Sequence, residues 1–316
     1  MDTAQSDITK DGTVDVAFIT INYNTKVLVE ELIDFLLQAH LPYSYSITVV
    51  DNNSSDGSLD AISRRPQVQV IRNDRNLGYG TAANRGVRAT KSRYVCVLNT
   101  DVILNAEALT ALWNFMEGNK TAGMCSPVVR YDDGRIQLFF FKFSLLFCYW
   151  EFLAKLWTKL FKLRLARSSR PIEIDGITGA LLFLRRSYID GDALFDEDFF
   201  FYFEDTDLAC RWKKRGYASY ALPNHSIVHL GGLSGKGRNN SLYYSGKYLF
   251  LRKHYGEQHT QRIRTIDFWK IARKVLSYRL LALVFPTKHT MQKLSSYLDY
   301  QRVLASEHRQ RRNNVR

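Results

Sequence analysis

Strand-like and helix-like segments alternate four times over roughly the first 130 residues, and no other feature of this 316-residue chain restricts its fold as much. Val14–Asn22 (VDVAFITIN), residues 47–50, Val68–Arg72 and residues 94–98 are apolar runs bounded by polar turn residues. Runs of that kind read as strands buried on both faces of a parallel sheet. Residues 25–39 carry Val27, Leu28, Leu32, Phe35 and Leu36 at helical spacing. Asn76-Leu77-Gly78-Tyr79-Gly80 leads into a second helix over 81–90; residues 105–118 form a third, and 123–131 a further strand. The alternation predicts an α/β fold, a mostly parallel sheet with helices on both faces.

In such sheets ligands bind outside the carboxyl ends of the strands. The run YVCVL (94–98) delivers Asn99-Thr100-Asp101 there, and the second strand delivers Asp51-Asn52-Asn53-Ser54-Ser55-Asp56-Gly57-Ser58. Asp101 can neutralise a metal ion, accept hydrogen bonds, or cap the next helix. Asp51 can accept the ring N–H of a pyrimidine or guanine base, and Asn52 and Asn53 can contact a ligand or cap a helix. The glycines of Asn76-x-Gly78-x-Gly80 permit close backbone approach. They are not the dinucleotide fingerprint, because the spacing fails and no strand immediately precedes them.

Residues 177–185 form an apolar strand entered through Asp175-Gly176, and 219–222 and 227–230 form two short ones. Between them, Glu204-Asp205-x-Asp207 opens a helix that runs through Lys214. A helix N-terminus stabilises anions, which is reason enough for acidic residues. Crowding also raises at least one pKa and makes a general base available. Asp207 can pair with Arg211 one turn on. His229 can ligate a metal, donate to a phosphate, or serve structure alone.

The alternation breaks at residues 139–170, which carry seven basic residues against one acidic. Phe152, Leu153, Leu156, Trp157, Leu160 and Phe161 are expected on one helical stripe, with Lys155, Lys159 and Lys162 beside it. That pattern fits an amphipathic helix lying in the bilayer interface; packing on a core with snorkelling lysines is the alternative. Residues 236–316 hold 18 Lys+Arg and four Asp+Glu, whereas the rest of the chain is close to neutral. Segregated charge of this kind points to an anionic partner, a membrane surface or a nucleic acid. The tail has no recognition motif for nucleic acid. Four scattered cysteines (Cys96, Cys125, Cys148, Cys210) form no C-x-x-C pair and read as reduced thiols of a cytosolic protein. The expected organisation is a loose leader (1–13), an α/β domain (14–234) with the amphipathic insert (139–170), and a basic helical region (235–316) that associates with membrane.

Taken in order, Ile21-Asn22-Tyr23-Asn24, Val50-Asp51-Asn52-Asn53-Ser54-Ser55-Asp56-Gly57, Asn76-x-Gly78, Leu98-Asn99-Thr100-Asp101, Gly176 to Gly179, Glu204-Asp205-x-Asp207-Leu208-x-x-Arg211 and His229 resemble the family-2 inverting glycosyltransferases of the Rossmann-like GT-A fold. Among these the chain looks most like the bacterial rhamnosyltransferase-type enzymes of surface polysaccharide assembly. The resemblance covers residues 15–234. It implies that Asp51 binds the base of a nucleotide-diphospho-sugar, within a site that Asn22, Tyr23, Asn24 and Asn53 also line. Arg72, Asn76, Gly78, Asn99 and Thr100 would complete that site, and Gly179 would border the acceptor. Asp101, with His229, would hold Mg²⁺ or Mn²⁺; Asn99 stands where the family often has the first Asp of D-x-D. Asp205 would be the catalytic base, with Glu204 competing for the role. The implied reaction moves L-rhamnose from a dTDP donor onto a lipid-linked glycan, on the cytoplasmic face of the plasma membrane. A UDP-linked galactose, glucose or N-acetylglucosamine is the enzymatic alternative, and a basic nucleic-acid-binding protein the non-enzymatic one.

Overall fold

The computed structural model describes residues 12–191, 193–231 and 240–314. Most of the expected leader therefore lies outside the described residues, as does the stretch around Ser234. The elements run β1 (Val14–Asn22), α1 (Lys26–Gln38), β2 (Tyr45–Asp51), α2 (Ser58–Ser63), β3 (Val68–Arg72), α3 (Tyr79–Arg88), β4 (Ser92–Leu98) and β5 (Val102–Ile103). They continue with α4 (Ala106–Gly118), β6 (Ala122–Arg130), β7 (Phe140–Phe141), α5 (Leu145–Tyr149), α6 (Glu151–Arg167), β8 (Ile172–Ile174), β9 (Gly176–Ile177) and β10 (Leu181–Arg185). After these come α7 (Glu204–Lys214), β11 (Ala218–His229), α8 (Asn240–Tyr255), α9 (Glu257–Val284) and α10 (Lys288–Asn314).

Two compact units result, 1–144 with 152–237, and 145–151 with 238–316. The first is built on a sheet of order β3-β2-β1-β4-β10-β6-β11-β5, with β8 also paired to β11. β3, β2, β1 and β4 are mutually parallel. β10 enters antiparallel between β4 and β6, and β6 pairs in parallel with β11. Tyr94, Val95, Cys96, Val97 and Leu98 of β4 are all at most 1% exposed, as a strand inside such a sheet requires. Each large apolar side chain so buried contributes about 1.5–3 kcal/mol of transfer free energy.

Three expectations are corrected. Residues 177–185 are two strands in two sheets, since β9 pairs with β7 and β10 belongs to the main sheet. The ring of Phe141 occupies the place a side chain at Gly176 would need, which locks β9 onto β7. The two short strands at 219–230 are one strand, β11, with a register shift between Leu222 and Ser226. Pro223 lies in that shift, where a residue without an N–H can be tolerated. The apolar residues of α6 occupy two faces rather than one. Phe161 and Leu165 are buried in the sheet unit and Trp157 stacks on Phe161 at 5.0 Å, whereas Phe152, Leu156 and Leu160 are exposed. The core-packing alternative thus describes one face of the helix, and the other face is exposed.

The second unit packs Tyr244, Tyr248, Leu251, Ile263, Ile271, Val275 and Leu304 into its own core. Lys247 Nζ and Asp267 Oδ2, 2.5 Å apart, form an ion pair within it. No helix among the described residues is long and apolar enough to cross a membrane.

Candidate active site

Asn22 and Asp51 end adjacent parallel strands and face each other in register. Asn22 Nδ2 donates to Asp51 Oδ1 at 2.7 Å and to Ser58 Oγ at 2.7 Å. The backbone N–H of Ser54 donates to Asp51 Oδ2 at 3.0 Å, and Thr25 Oγ1 donates to Asn22 Oδ1 at 2.8 Å. Both side chains are 0% exposed, so the carboxylate exchanges its hydration for a closed set of protein donors. Above this cluster Asn24 (φ 55°) and Asn53 (φ 65°) adopt the left-handed conformation that asparagine tolerates best among residues with a Cβ. Asn24 Oδ1 accepts the N–H of Ser55 at 2.7 Å, fastening the loop after β2 to the loop after β1. Tyr23, Asn24, Asn53 and Arg72 are exposed, the last at the end of β3 opposite Asp51.

A relay of amides continues from there. Asn52 Oδ1 accepts from Asn73 Nδ2 at 2.7 Å, and Asn52 Nδ2 donates to the carbonyl of Gly78 at 3.1 Å. Arg85 donates to Asn73 Oδ1. Asn76 Oδ1 accepts the N–H of Gly78 at 2.9 Å. Gly78 has φ 84°, and the carbonyl oxygen of Phe200 lies where its Cβ would be. The N–H of Tyr79 donates to that same oxygen at 2.9 Å. Packing against Phe200 is thus a sufficient reason for a glycine at 78.

Tyr202 (φ 68°) and Phe203 (φ 73°) are consecutive left-handed residues, a strained turn costing about 1–2 kcal/mol per residue. The turn aims the first turn of α7 at the segment between β9 and β10. Asp205 Oδ2 accepts the N–H of Gly179 at 2.7 Å, and its Oδ1 accepts the N–H of Thr206 at 2.6 Å and the hydroxyl at 3.0 Å. Glu204 is 6% exposed, and its Oε2 has no hydrogen-bond partner. Burial, and secondly the charge of Asp205, push the Glu204 carboxyl up to about 8. Asp205 is also raised by burial, against the pull of its hydrogen bonds. Tyr79 donates to the carbonyl of Gly179 at 3.3 Å. Burial first, then the charges of Glu204, Asp205 and Asp101, hold its hydroxyl well above the usual tyrosine range. Asp207 turns away and pairs with Arg211 Nε at 2.7 Å.

Asp101, 1% exposed, lies beyond β4, where the N–H of Asn99 donates to the carbonyl of Ala180 at 3.1 Å and Thr100 is buried. His229 closes β11; its Nε2 stands 3.1 Å from Asp101 Oδ1 and 3.5 Å from Asn99 Nδ2. Its Nδ1 stands 2.9 Å from Gln137 Oε1, while Gln137 Nε2 donates to the carbonyl of His229 at 2.5 Å. That last bond fixes the chemistry. A carbonyl only accepts, so the Gln137 amide nitrogen faces it and the amide oxygen faces Nδ1. Nδ1 therefore carries a proton, which leaves Nε2 to face the buried carboxylate with either a proton or a cation between them. One carboxylate with one imidazole lone pair suits a divalent cation that takes its remaining ligands from phosphate and water. No group of three His, Cys, Asp or Glu side chains suited to a metal occurs among the described residues.

The structure therefore gathers Asp51, Asp101, Asp205 and His229 at one edge of the sheet, linked through Asn52, Gly78, Tyr79, Gly179 and Asn99. Asn73, Tyr79, Arg85 and Gln137 were absent from the expected site residues. Tyr79 lies inside a motif already noted, but Gln137 stands in a loop with no local signal.

Residues 17–191, more than half of the chain, match the family described as Glycosyl transferase family 2. An N-acetylglucosaminyl-diphospho-decaprenol L-rhamnosyltransferase of Mycobacterium tuberculosis is 30% identical over 206 residues, 58% of this chain and 66% of that relative, just under two thirds of its length. A mannosyltransferase from Pyrobaculum calidifontis, solved with GDP-Man and Mn²⁺, superposes with a TM-score of 0.59 at 16% identity, over 93% of this chain and 87% of that one. GalNAc-T7, solved with UDP, GalNAc and Mn²⁺, gives 0.54 at 15% identity, over 75% and 50%. With its strand-end carboxylates, its mostly parallel sheet and this family match, the chain belongs to glycosyl transferase family 2 and has the GT-A fold.

Proposed function

We propose that this chain transfers L-rhamnose from dTDP-L-rhamnose, with inversion, onto a lipid-linked glycan in bacterial surface polysaccharide assembly. One observation carries the reading: Asp101 with His229, and Asp205 with Gly179, face the same edge of the sheet. The mycobacterial relative, whose name specifies rhamnosyl transfer to a diphospho-decaprenol acceptor, favours this donor and acceptor.

Asp205 is the base. Its raised pKa strengthens it as a proton acceptor, and the N–H of Gly179 holds it in place. The acceptor hydroxyl attacks the anomeric carbon as Asp205 takes its proton. The bond from that carbon to the donor's diphosphate breaks, and the electron pair leaves with the diphosphate. The transition state is oxocarbenium-like, as in inverting glycosidic chemistry. Glu204, held protonated at neutral pH, does not compete for that proton. Asp101 and His229 would hold Mg²⁺ or Mn²⁺, which when bound neutralises charge developing on the leaving oxygens. The exposed residues above Asp51, Tyr23, Asn24, Asn53 and Arg72, receive the nucleoside, on loops that the buried Asp51 holds in place. Asn76, Gly78 and Thr100 shape the floor beneath the diphosphate.

The basic residues 236–316 and the exposed apolar face of α6 support a peripheral location on the cytoplasmic leaflet, where each basic residue near anionic lipid adds about 1 kcal/mol. Nucleic acid is not a partner in this reading.

Thermal melts in the presence of nucleotide-sugars and Mg²⁺ or Mn²⁺ test the donor. A ligand at 100 times its dissociation constant adds about 2.7 kcal/mol. dTDP-L-rhamnose is expected to raise the melting temperature more than UDP-galactose, UDP-glucose or UDP-N-acetylglucosamine. A larger rise with a UDP-sugar would change the donor, and no rise with any nucleotide-sugar would end the proposal.

A further inference from the structure

α9 and α10 form a helical hairpin whose base is packed and whose tip is not. At the base, Ile271 and Val275 are buried, and Tyr278 meets Tyr297 across the hairpin at 5.2 Å. Lys274 Nζ lies 5.1 Å from the Tyr297 ring. Beyond that layer Leu280, Leu281, Leu283, Val284, Phe285 and Met291 are all exposed, Leu283 at 81%. These residues surround the helix end and cannot bury one stripe against a neighbour. The turn itself is well formed. Pro286 stops α9, Thr287 Oγ1 accepts the N–H of Thr290 at 3.2 Å, and Thr290 is buried. That is the capping geometry of an ordered helix start, so the apolar tip is presented on a defined scaffold.

Charge identifies what the tip meets. Residues 268–298 hold six Lys+Arg (Lys270, Arg273, Lys274, Arg279, Lys288, Lys293) and no Asp or Glu. An apolar end inside a basic collar matches an acidic leaflet, with the rings and aliphatic chains below the headgroups and the cations level with them. The dimensions agree. Residues 280–285 rise about 9 Å along a helix at 1.5 Å per residue. An interfacial element sinks about 5–10 Å, whereas a spanning one needs about 30 Å.

We infer that the α9–α10 tip is the element that inserts into the bilayer, dipping into one leaflet of anionic lipid. The inference rests on the peripheral membrane location proposed above and names the part of the chain responsible.

The test is sedimentation of the full chain with phosphatidylglycerol–phosphatidylcholine vesicles. Wild type is expected to sediment with them and much less with pure phosphatidylcholine. Leu280→Gln/Leu283→Gln/Phe285→Gln should weaken vesicle binding at least tenfold while keeping its thermal stabilisation by a nucleotide-sugar with Mn²⁺. Phe152→Gln/Leu156→Gln/Leu160→Gln on α6 should cost less. If the tip variant sediments like wild type, the inference is wrong; if the α6 variant is then released, the membrane location stands and the anchor is α6. If wild type does not bind anionic vesicles, the location and the tip fall together. If the tip variant instead dissociates an oligomer in light scattering with vesicle binding unchanged, the tip is a self-association face and the inference is overturned. A variant that does not fold is replaced by an NBD label on Leu283→Cys in a Cys148→Ser background. Its emission should shift to the blue on anionic vesicles, and an unshifted spectrum overturns the inference.

Discussion

At Asp51 both carboxylate oxygens accept hydrogen bonds from the protein itself, whereas Glu204, which helps form the same ligand edge, keeps a buried oxygen with no partner. The first cluster is closed. Asn22, Ser54, Ser58 and Thr25 settle its charge and polarity before any ligand arrives, and its contribution is to hold two loops in place. The second is left open at Glu204 Oε2, beside an Asp205 whose carboxyl burial also raises. Buried groups left unsettled cost stability and are found where chemistry is done. The contrast separates the part of the edge that fixes geometry from the part that waits for a proton, a cation or a substrate.

Substitutions can break this contrast. The largest expected effect is at the open end. Asp205→Asn should lower transfer by about 10²- to 10⁴-fold, the usual worth of a general base, with donor-induced stabilisation intact in thermal melts. If Asp205→Asn keeps most of its turnover and Glu204→Gln loses it, the base is one residue earlier. Next, Gln137→Leu frees the His229 ring to choose its tautomer. Mn²⁺ affinity, read by electron paramagnetic resonance without any turnover, should fall about 10- to 100-fold, as for other partners that orient a metal-binding histidine. Unchanged affinity would remove Gln137 from the site.

Smaller effects are expected on stability. Asp51→Asn must turn an amide N–H₂ toward either Asn22 Nδ2 or the N–H of Ser54, and a buried mismatch of that kind costs about 1–3 kcal/mol. Denaturant melts should show that loss for Asp51→Asn and not for Glu204→Gln, whose carboxyl keeps an oxygen with no partner; equal losses would erase the distinction between the two clusters. The last effect is read against pH. Burial, then Asp205, raise Glu204 from 4.5 to about 8, so the folded chain keeps a proton that the unfolded chain has already lost. Unfolding then releases a proton, and stability falls as pH rises from 4.5 toward 8. Asp205, also raised, acts in the same direction, and the Tyr79 hydroxyl beside them stays protonated throughout. Glu204→Gln should flatten this slope and melt a few degrees above wild type at pH 8. A slope as steep as wild type would assign it to another group.

Much of this site was legible before any coordinates. Asp51 and Asp101 announced themselves because each follows an apolar run that could only be a buried strand, and parallel strands all release their carboxyl ends to one side. Asp207 and Arg211 were legible as neighbours because one helical turn brings them together. Gln137 was not, since its partner His229 is 92 residues away and nothing in its own surroundings marks it. The two faces of α6 were not legible either. Trp157 and Phe152 are equally apolar, and only the position of Phe140 and Phe161 decides which is covered.

The sequence by itself determined the alternation of strands and helices, the carboxylates at the strand ends, and the concentration of positive charge in the last eighty residues. These are properties of local period and composition, which an unfolded chain already has. Only the tertiary structure decided that β10 runs against its neighbours, that Glu204 holds its proton while Asp51 is fully paired, that His229 turns one particular nitrogen to Asp101, and that the α9–α10 tip is bare. Burial and hydrogen-bond partnership depend on which distant segments come to lie against a residue, and that is settled when the chain packs.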